Sequence, residues 1–223
     1  MGAFLGEFIE QLQRPEWSEA VIQHVKLSAL ALLVGILISV PLAIAVSRYP
    51  RTALLSINVA NLGRGVPDLA LLAFFLVIFG LGFWSAEIAL ILLSIPPILI
   101  NTVTALNQVE SKVIDSARGM GLSEWQILTS VQLPIAAPVI FAGIRTSAVQ
   151  VVAGATLATF IGAGGLGVFI VQGLAGFGYP TMFAGAIPVA VLAIVAEFAF
   201  GGLERLSTPK GLKVAKKRAK RGR

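Results

Sequence analysis

Long apolar segments dominate this sequence and limit the folds that it can adopt. The stretch from Leu27 to Val46 contains 20 residues without a single charge. As a helix rising about 1.5 Å per residue, it would be about 30 Å long, which matches the hydrocarbon thickness of a bilayer. Across all 223 residues, 57% are hydrophobic, 13% are charged and the mean hydropathy is +0.89, too apolar for a water-soluble domain. We therefore predict an all-α membrane protein.

Four further apolar segments follow the first, and charged, polar or glycine-rich residues separate them. Each is long enough to cross a bilayer as a helix. Several contain proline, as membrane helices often do. The five predicted spans cover about residues 27–47, 53–80, 86–106, 135–161 and 182–203.

The second predicted span is unusually polar and contains helix breakers. Glycine and proline between Gly63 and Pro67 weaken the helix in its middle. Ionisable groups at membrane depth are tolerated where they are buried in protein or face water. Arg64 and Asp68 are four residues apart and could pair on one helical face. We interpret this span as lining a polar path through the membrane; the alternative is a cytoplasmic re-entry segment whose polar residues meet water.

Two charged residues lie within the last two predicted spans. Arg145 falls about 15 Å along its helix, near the bilayer centre, where an unpartnered charge costs several kcal/mol. We expect it to face the bundle interior, with Glu197 as a candidate partner whose role is either structural or gating. The full set of candidate path residues is Asn58, Asn61, Arg64, Pro67, Asp68, Asn101, Arg145 and Glu197.

One long polar interval, residues 109–134, separates two apolar regions. A short helix ends at Gly119 and Gly121, and a second begins at Ser123 with Gln126 three residues later, the pattern of a capping box. Pro134 is expected to end the segment because it cannot continue the helical hydrogen bonds. We interpret this interval as a rigid helix–turn–helix elbow that docks into a partner; the alternative is an amphipathic loop that merely joins two spans.

The elbow resembles the cytoplasmic coupling loop of binding-protein-dependent ABC importer permeases. Their pattern is Glu-Ala-Ala, three residues, Gly, nine residues, an aliphatic residue, any residue and Leu-Pro. This chain matches that spacing, with Asp for Glu and Ser for the first Ala. The resemblance implies that the elbow contacts an ATPase subunit. The implied coupling residues are Asp115, Ser116, Ala117, Gly119, Gly121, Leu122, Ser123, Trp125, Leu133 and Pro134.

Three further stretches resemble the permeases of glycine betaine, carnitine and choline importers. They read GVPDLALLAF, AGIRTSAV and ATLATFIGAGGLG, and the resemblance covers roughly residues 66–167. This resemblance implies a five-span permease of the type I, methionine-importer-like fold, which pairs with a copy or a sister permease. It also implies two ATPase subunits below and a substrate-binding protein above. Val66-Pro67-Asp68 departs from the family's Ile-Pro-Ser and adds a carboxylate.

Other functions fit the sequence less well. A permease for another small substrate, such as an amino acid, would share the elbow and remains the alternative. A secondary transporter should show inverted repeats with paired broken helices, and no clear second copy is present. A structural anchor would not need polar residues within its spans.

No cofactor or metal site is predicted in this chain. The glycines of IGAGGLG spell a dinucleotide fingerprint, but they follow a membrane span rather than a strand, so we expect an external loop there. The sequence has no phosphate-binding G-x-x-x-x-G-K-[ST] motif, so ATP and Mg²⁺ belong to a partner subunit and this chain is not itself an enzyme. With no Cys and only His24, which we expect at an interface or in a loop, no metal ligand set is available.

The two chain ends differ in charge. Residues 1–24 are acidic and apolar at helical spacing, which predicts an amphipathic leader helix on the outer membrane surface or a disordered leader. Residues 206–223 are strongly basic, which places this tail, the elbow and the C-terminus in the cytoplasm and the N-terminus outside a plasma (inner) membrane. Residues 25–205 form the permease domain. The tail is either an orientation signal only or a salt-sensitive clamp on anionic lipids, with no nucleic-acid role. The candidate lipid-contacting residues are Lys213, Lys216, Lys217 and Arg218.

Overall fold

Helices form every regular element of residues 2–176 and 178–207, which the computed structural model describes. Helix α1 spans Gly2–Gln13 and α2 spans Pro15–Ser47, with the proline in the first turn of α2, where its missing N–H costs nothing. The leader is therefore helical, and α1 packs against the last helix of the described part, Tyr179–Ser207. The four predicted lipid-contacting residues lie outside the described residues: Lys213, Lys216, Lys217 and Arg218.

The second predicted span is two helices rather than one. Helix α3 spans Pro50–Arg64 and α4 spans Asp68–Phe79, and the two axes meet at 90°. Pro67 causes the break because it donates no hydrogen bond and forces the preceding residue, Val66, out of the helical conformation. The weakness inferred from glycine and proline is thus a sharp corner in the structure.

Helix α5 spans Phe83–Asn107 and leads into the elbow. The elbow contains α6, Ser111–Gly119, and α7, Glu124–Ile127. A π-helical turn, Leu128–Gln132, joins α7 to α8, Leu133–Gly154.

The expectation that Pro134 ends the elbow helix is wrong. Residues 124–154 form one helical run, and Pro134 lies in the first turn of α8. The π turn accommodates it, because the backbone N–H of Leu133 reaches back five residues to the carbonyl of Leu128 instead of four. The elbow and the fourth span are therefore mechanically continuous.

The described part ends with a 3₁₀ turn, Leu157–Ile161, then α9, Gly167–Ala175, and α10, Tyr179–Ser207. The fourth span thus stops at Gly154 rather than at residue 161. The region predicted as an external loop contains α9. The glycine-rich composition favoured a loop prediction there, so the helix was not expected.

Four helices of the described part are long and apolar enough to cross a membrane: α2, α5, the run of residues 124–154, and α10. The bent pair α3 and α4 makes a fifth if it is counted as one broken span. This arrangement agrees with the predicted five-span core.

Helices α2, α5 and α8 form the centre of the bundle. Leu27 of α2 and Val151 of α8 are fully buried in one cluster with Leu90 of α5. Serine side chains also join these helices: the Ser147 hydroxyl donates to the Ser94 carbonyl at 3.0 Å, and the Ser94 hydroxyl lies 3.3 Å from the Ala31 carbonyl. Small residues and hydroxyl groups allow the close helix packing typical of membrane bundles.

The crossing of α5 and α8 depends on a glycine. A Cβ at Gly143 would lie 2.7 Å from Asn101 Cβ and 2.9 Å from the Pro97 carbonyl oxygen. We expect Gly143→Ala to lower the free energy of unfolding by about 1–3 kcal/mol through overpacking. Thermal unfolding of the detergent-solubilised protein measures this change.

The matched control is Gly202→Ala on α10, where no atom lies within 4 Å of the added Cβ. That change should leave the unfolding midpoint unchanged or raise it, because alanine is the better helix former. An unchanged midpoint in Gly143→Ala would show that the crossing is not tightly packed.

Candidate functional site: the elbow and the helix break

The turn of the elbow begins where α6 ends, in a Schellman motif. Gly121 adopts φ +84°, the left-handed conformation that favours glycine. Its N–H donates to the Arg118 carbonyl at 3.0 Å, and the N–H of Leu122 donates to the Ala117 carbonyl at 3.3 Å. These two bonds are the pair that defines the motif, and they satisfy carbonyls at the end of α6. Gly121 therefore fixes the direction in which the chain leaves α6.

The turn ends in the predicted capping box. The backbone N–H of Ser123 donates to Gln126 Oε1 at 2.8 Å, and the N–H of Gln126 donates back to Ser123 Oγ at 3.4 Å. Hydrogen bonds between residues at most five positions apart therefore hold both ends of the turn, which makes the elbow locally rigid.

Arg118 ties the two elbow helices together, although the sequence analysis did not select it. Its guanidinium lies 2.9 Å from Glu124 at the start of α7 and 3.3 Å from Asp115 on α6. All three side chains are exposed, so each pair contributes at most about 1 kcal/mol. A basic residue flanked by two acids at these spacings was the signal available in the sequence.

The elbow exposes large apolar side chains where it turns. Met120 and Trp125 are 73% and 67% exposed, whereas Ala117 and Ile127 are buried. Among the predicted coupling residues, Asp115, Ser116, Gly119 and Ser123 are exposed too, while Leu133 and Pro134 lie at the start of α8. An exposed tryptophan beside a rigid turn is a surface suited to docking.

Behind the elbow, a cavity of about 500 Å³ separates it from the ends of α2 and α5. Arg48, Leu106, Ile114 and Glu124 are among its lining residues. The elbow is therefore attached to the bundle mainly through its two ends.

A second feature is a cavity of about 240 Å³ at the corner between α3 and α4. Its walls are mostly apolar, and its polar lining residues are Arg64 and Gln150, the latter half-buried on α8. Gln150 was not selected from the sequence, although an amide inside a predicted span was a usable signal. Asp68 lines a small adjoining cavity that shares Leu71 and Leu93 with this one.

The suggested pairing of Arg64 with Asp68 is wrong. The helix ends at the first and resumes at the second with a right-angle bend, so the geometry of two residues four apart on one helix is lost. Among the described residues, neither side chain has an ion-pair or hydrogen-bond partner. Asn58 and Asn61 are exposed on α3, and Pro67 occupies the corner itself.

The remaining predicted path residues lie elsewhere. Arg145 forms the ion pair predicted with Glu197, at 3.4 Å, and a second with Glu204, at 3.0 Å. Its side chain is 35% exposed beside α10 rather than turned into the bundle, because both acids are on α10. Asn101 donates to the Pro97 carbonyl at 2.7 Å within α5. These residues do not line the cavity at the α3–α4 corner.

Two buried polar side chains were not anticipated. His24 is fully buried rather than interfacial, and its Nε2 lies 3.0 Å from the Val152 carbonyl, which links α2 to α8. Glu87 near the start of α5 is also buried. Within residues 2–176 and 178–207, no group of three histidine or acidic side chains is placed to hold a metal ion.

Comparison with known proteins supports the resemblance seen in the sequence. Residues 20–207 match the family described as "Binding-protein-dependent transport system inner membrane component". The Listeria monocytogenes protein named carnitine transport permease protein OpuCB is 45% identical over 87% of this chain and 89% of its own length. The Bacillus subtilis glycine betaine/carnitine/choline transport system permease protein OpuCB is 40% identical over 85% of this chain and 88% of its own.

Solved structures show the same fold. A chain of the MetNI methionine ABC transporter, in an inward-facing conformation, aligns with a TM-score of 0.76 over 87% of this chain and 97% of its own length, at 23% identity. This likeness confirms the predicted all-α, methionine-importer-like architecture.

The capping box makes a local prediction. In Ser123→Ala the N–H of Gln126 loses its acceptor, at a typical cost of about 1 kcal/mol. We expect the Gln126 amide to exchange its hydrogen about fivefold faster, measured by hydrogen–deuterium exchange.

Ser116→Ala is the matched control, because that hydroxyl donates to the Lys112 carbonyl inside α6 and does not touch the turn. Equal exchange of Gln126 in both variants and the wild type would contradict the capping box.

Proposed function

This chain belongs to the family of binding-protein-dependent transport system inner membrane components, and from that premise we propose that it forms the membrane path of an importer for quaternary ammonium osmoprotectants. Glycine betaine, carnitine and choline are the candidate solutes. The observation that carries this proposal is the 45% and 40% identity to permeases named for these solutes, over nearly the whole length of each. A third relative, the Salmonella typhimurium osmoprotectant import permease protein OsmW, is 37% identical.

The elbow is the proposed docking site for an ATPase subunit. Trp125 and Met120 supply exposed apolar surface, and the bonds at Gly121 and Ser123 hold that surface in one orientation. The chain has no phosphate-binding loop of its own, so ATP and Mg²⁺ are bound by the partner. Two ATPase subunits serve two permeases, either two copies of this chain or one copy and a paralogue.

The mechanism follows from the continuity of the elbow with α8. ATP binding closes the ATPase pair and moves the elbows as rigid bodies. Because residues 124–154 form one helical run, that motion tilts the fourth span. The bundle then shifts between inward and outward access, with the nucleotide state setting the balance between the two.

The proposed orientation places the elbow and the basic tail in the cytoplasm and the N-terminus outside. Five spans put the chain ends on opposite sides, and the excess of lysine and arginine after Arg205 favours the inner side. A substrate-binding protein would deliver solute to the outer face.

A permease for an amino acid is the second candidate. The methionine transporter shares the fold, but at 23% identity that likeness concerns the fold alone and does not favour an amino acid as the solute. The test is reconstitution of the permease with its ATPase and binding protein in vesicles. Nucleotide-dependent uptake of glycine betaine, carnitine or choline is expected. Uptake of methionine instead, or uptake without nucleotide hydrolysis, would overturn the proposal.

Coupling through the elbow makes a sharper prediction. Gly121→Val places a β-branched residue at positive φ, a conformation that such residues avoid. We expect it to abolish uptake and solute-stimulated ATP hydrolysis while the protein still reaches the membrane in normal amounts.

Gly202→Val is the matched control, because it adds the same side chain on α10, outside the elbow, where φ is not positive and no atom lies within 4 Å of the new Cβ. It should retain most uptake. Equal activity of the two variants would show that the left-handed turn plays no part in coupling.

A further inference from the structure

Two opposite charges without partners flank the corner between α3 and α4. Arg64 is the last residue of α3 and Asp68 the first of α4, and within the described residues neither has an ion-pair or hydrogen-bond partner. Arg64 is exposed and Asp68 is half-buried, and charges within an apolar span commonly mark a solute or ion pathway. Arg64 and Asp68 are four positions apart in the sequence, so their Cα atoms are at most about 14 Å apart.

The corner also provides an apolar cavity, which Arg64 lines and Asp68 does not. Its volume of about 240 Å³ is below the about 300–1,000 Å³ usual for drug-sized ligands, so it suits a small solute. Four helices contribute: α3, α4, α5 and α8. Leu71 and Leu93 belong both to this cavity and to the adjoining one that Asp68 lines. Apolar side chains are therefore continuous from Arg64 to the space of about 10 Å³ that Asp68 lines.

The chemistry of the two ends differs in a useful way. A quaternary ammonium group donates no ordinary hydrogen bond, so it is held by apolar contact and a nearby negative charge. Leu71, Leu93 and Asp68 provide that combination. A carboxylate is best held by a guanidinium, which can form two parallel hydrogen bonds, and Arg64 is the guanidinium that lines the cavity. The Gln150 amide on α8 adds a further donor.

The N-terminus of α4 does not compete for the carboxylate. Helix N-termini attract anions, but Asp68 lies in the first turn of α4 and already places a negative charge there. The anionic end of a solute is thereby directed to Arg64, and the cationic end to Asp68.

We propose that this corner is a recognition site for zwitterionic quaternary ammonium solutes, in which Arg64 binds the carboxylate and Asp68 attracts the ammonium group. This inference rests on the proposed function and adds to it the residues that distinguish zwitterionic solutes, such as glycine betaine and carnitine, from purely cationic choline. Arg64 is needed for the zwitterions alone, whereas Asp68 is needed for all three solutes.

The test is uptake of glycine betaine and choline by the reconstituted permease, ATPase and binding protein. Because the binding protein is unaltered, a changed ratio of the two rates reports on the permease. We expect Arg64→Gln to lower the ratio of betaine to choline uptake about tenfold, the size of a lost charged hydrogen bond. Asp68→Asn should lower uptake of both solutes.

Two further variants keep the test decisive. Arg51→Gln removes an exposed arginine at the other end of α3 and should leave the ratio unchanged. Arg64→Lys keeps the charge but not the guanidinium fork, and it should restore part of the ratio.

An unchanged ratio in Arg64→Gln, or an equal loss of both solutes, would overturn the assignment of Arg64. Normal uptake in Asp68→Asn would overturn that of Asp68. The failure of the proposed function looks different, because the wild-type complex would then hydrolyse ATP and import neither solute.

Discussion

This structure depends on hydrogen-bond partners for the backbone N–H and carbonyl groups that are left open where helices stop. An apolar membrane interior offers no water to an open N–H or carbonyl group, so each interruption needs internal partners. At the corner after α3, the N–H of Gly65 donates to the Leu62 carbonyl and that of Val66 to the Gly63 carbonyl, at 3.0 and 3.2 Å. Before α5, the Gly82 N–H donates to the Ile161 carbonyl at 2.8 Å. These bonds allow sharp corners within an otherwise helical bundle.

The elbow and the corner cavity are connected by one helical run. Residues 124–154 carry the exposed Trp125 in their first turn and pass the cavity at Gln150, about 38 Å further along. The run packs closely against α5 at Gly143 and Ser147, so it cannot tilt without shifting α5. A movement of the proposed docking surface would therefore be transmitted along this helical run to the proposed solute site.

The features that local chemistry determines were predictable from the sequence. Ser123 and Gln126 form the capping box because its two hydrogen bonds join residues three positions apart. Gly121 marks the turn because few other residues adopt positive φ there. The Arg145–Glu197 ion pair is the exception among distant contacts: it was predictable because an unpartnered charge within an apolar span is costly.

Features that depend on distant contacts or exact helix paths were not predictable. Spacing suggested that Arg64 and Asp68 would pair, but the direction of the bend at Pro67 separates them. Pro134 was expected to end the elbow helix, because residue type does not reveal the π turn that accommodates this proline. The expectation that His24 lies at an interface or in a loop is wrong, because the side chain is buried against α8, where it contacts the carbonyl of Val152, 128 residues away.

We infer that the elbow faces the cytoplasm and contacts an ATPase subunit. The chain has no cysteine, so Trp125→Cys provides a single reactive site. Membrane-impermeant thiol reagents applied to either side of sealed vesicles, together with crosslinking to the ATPase, measure its position. We predict that the reagents label this site from the cytoplasmic side only and that ATP alters its crosslink to the ATPase. Labelling from the outer side, or no crosslink in a complex that transports, would contradict it.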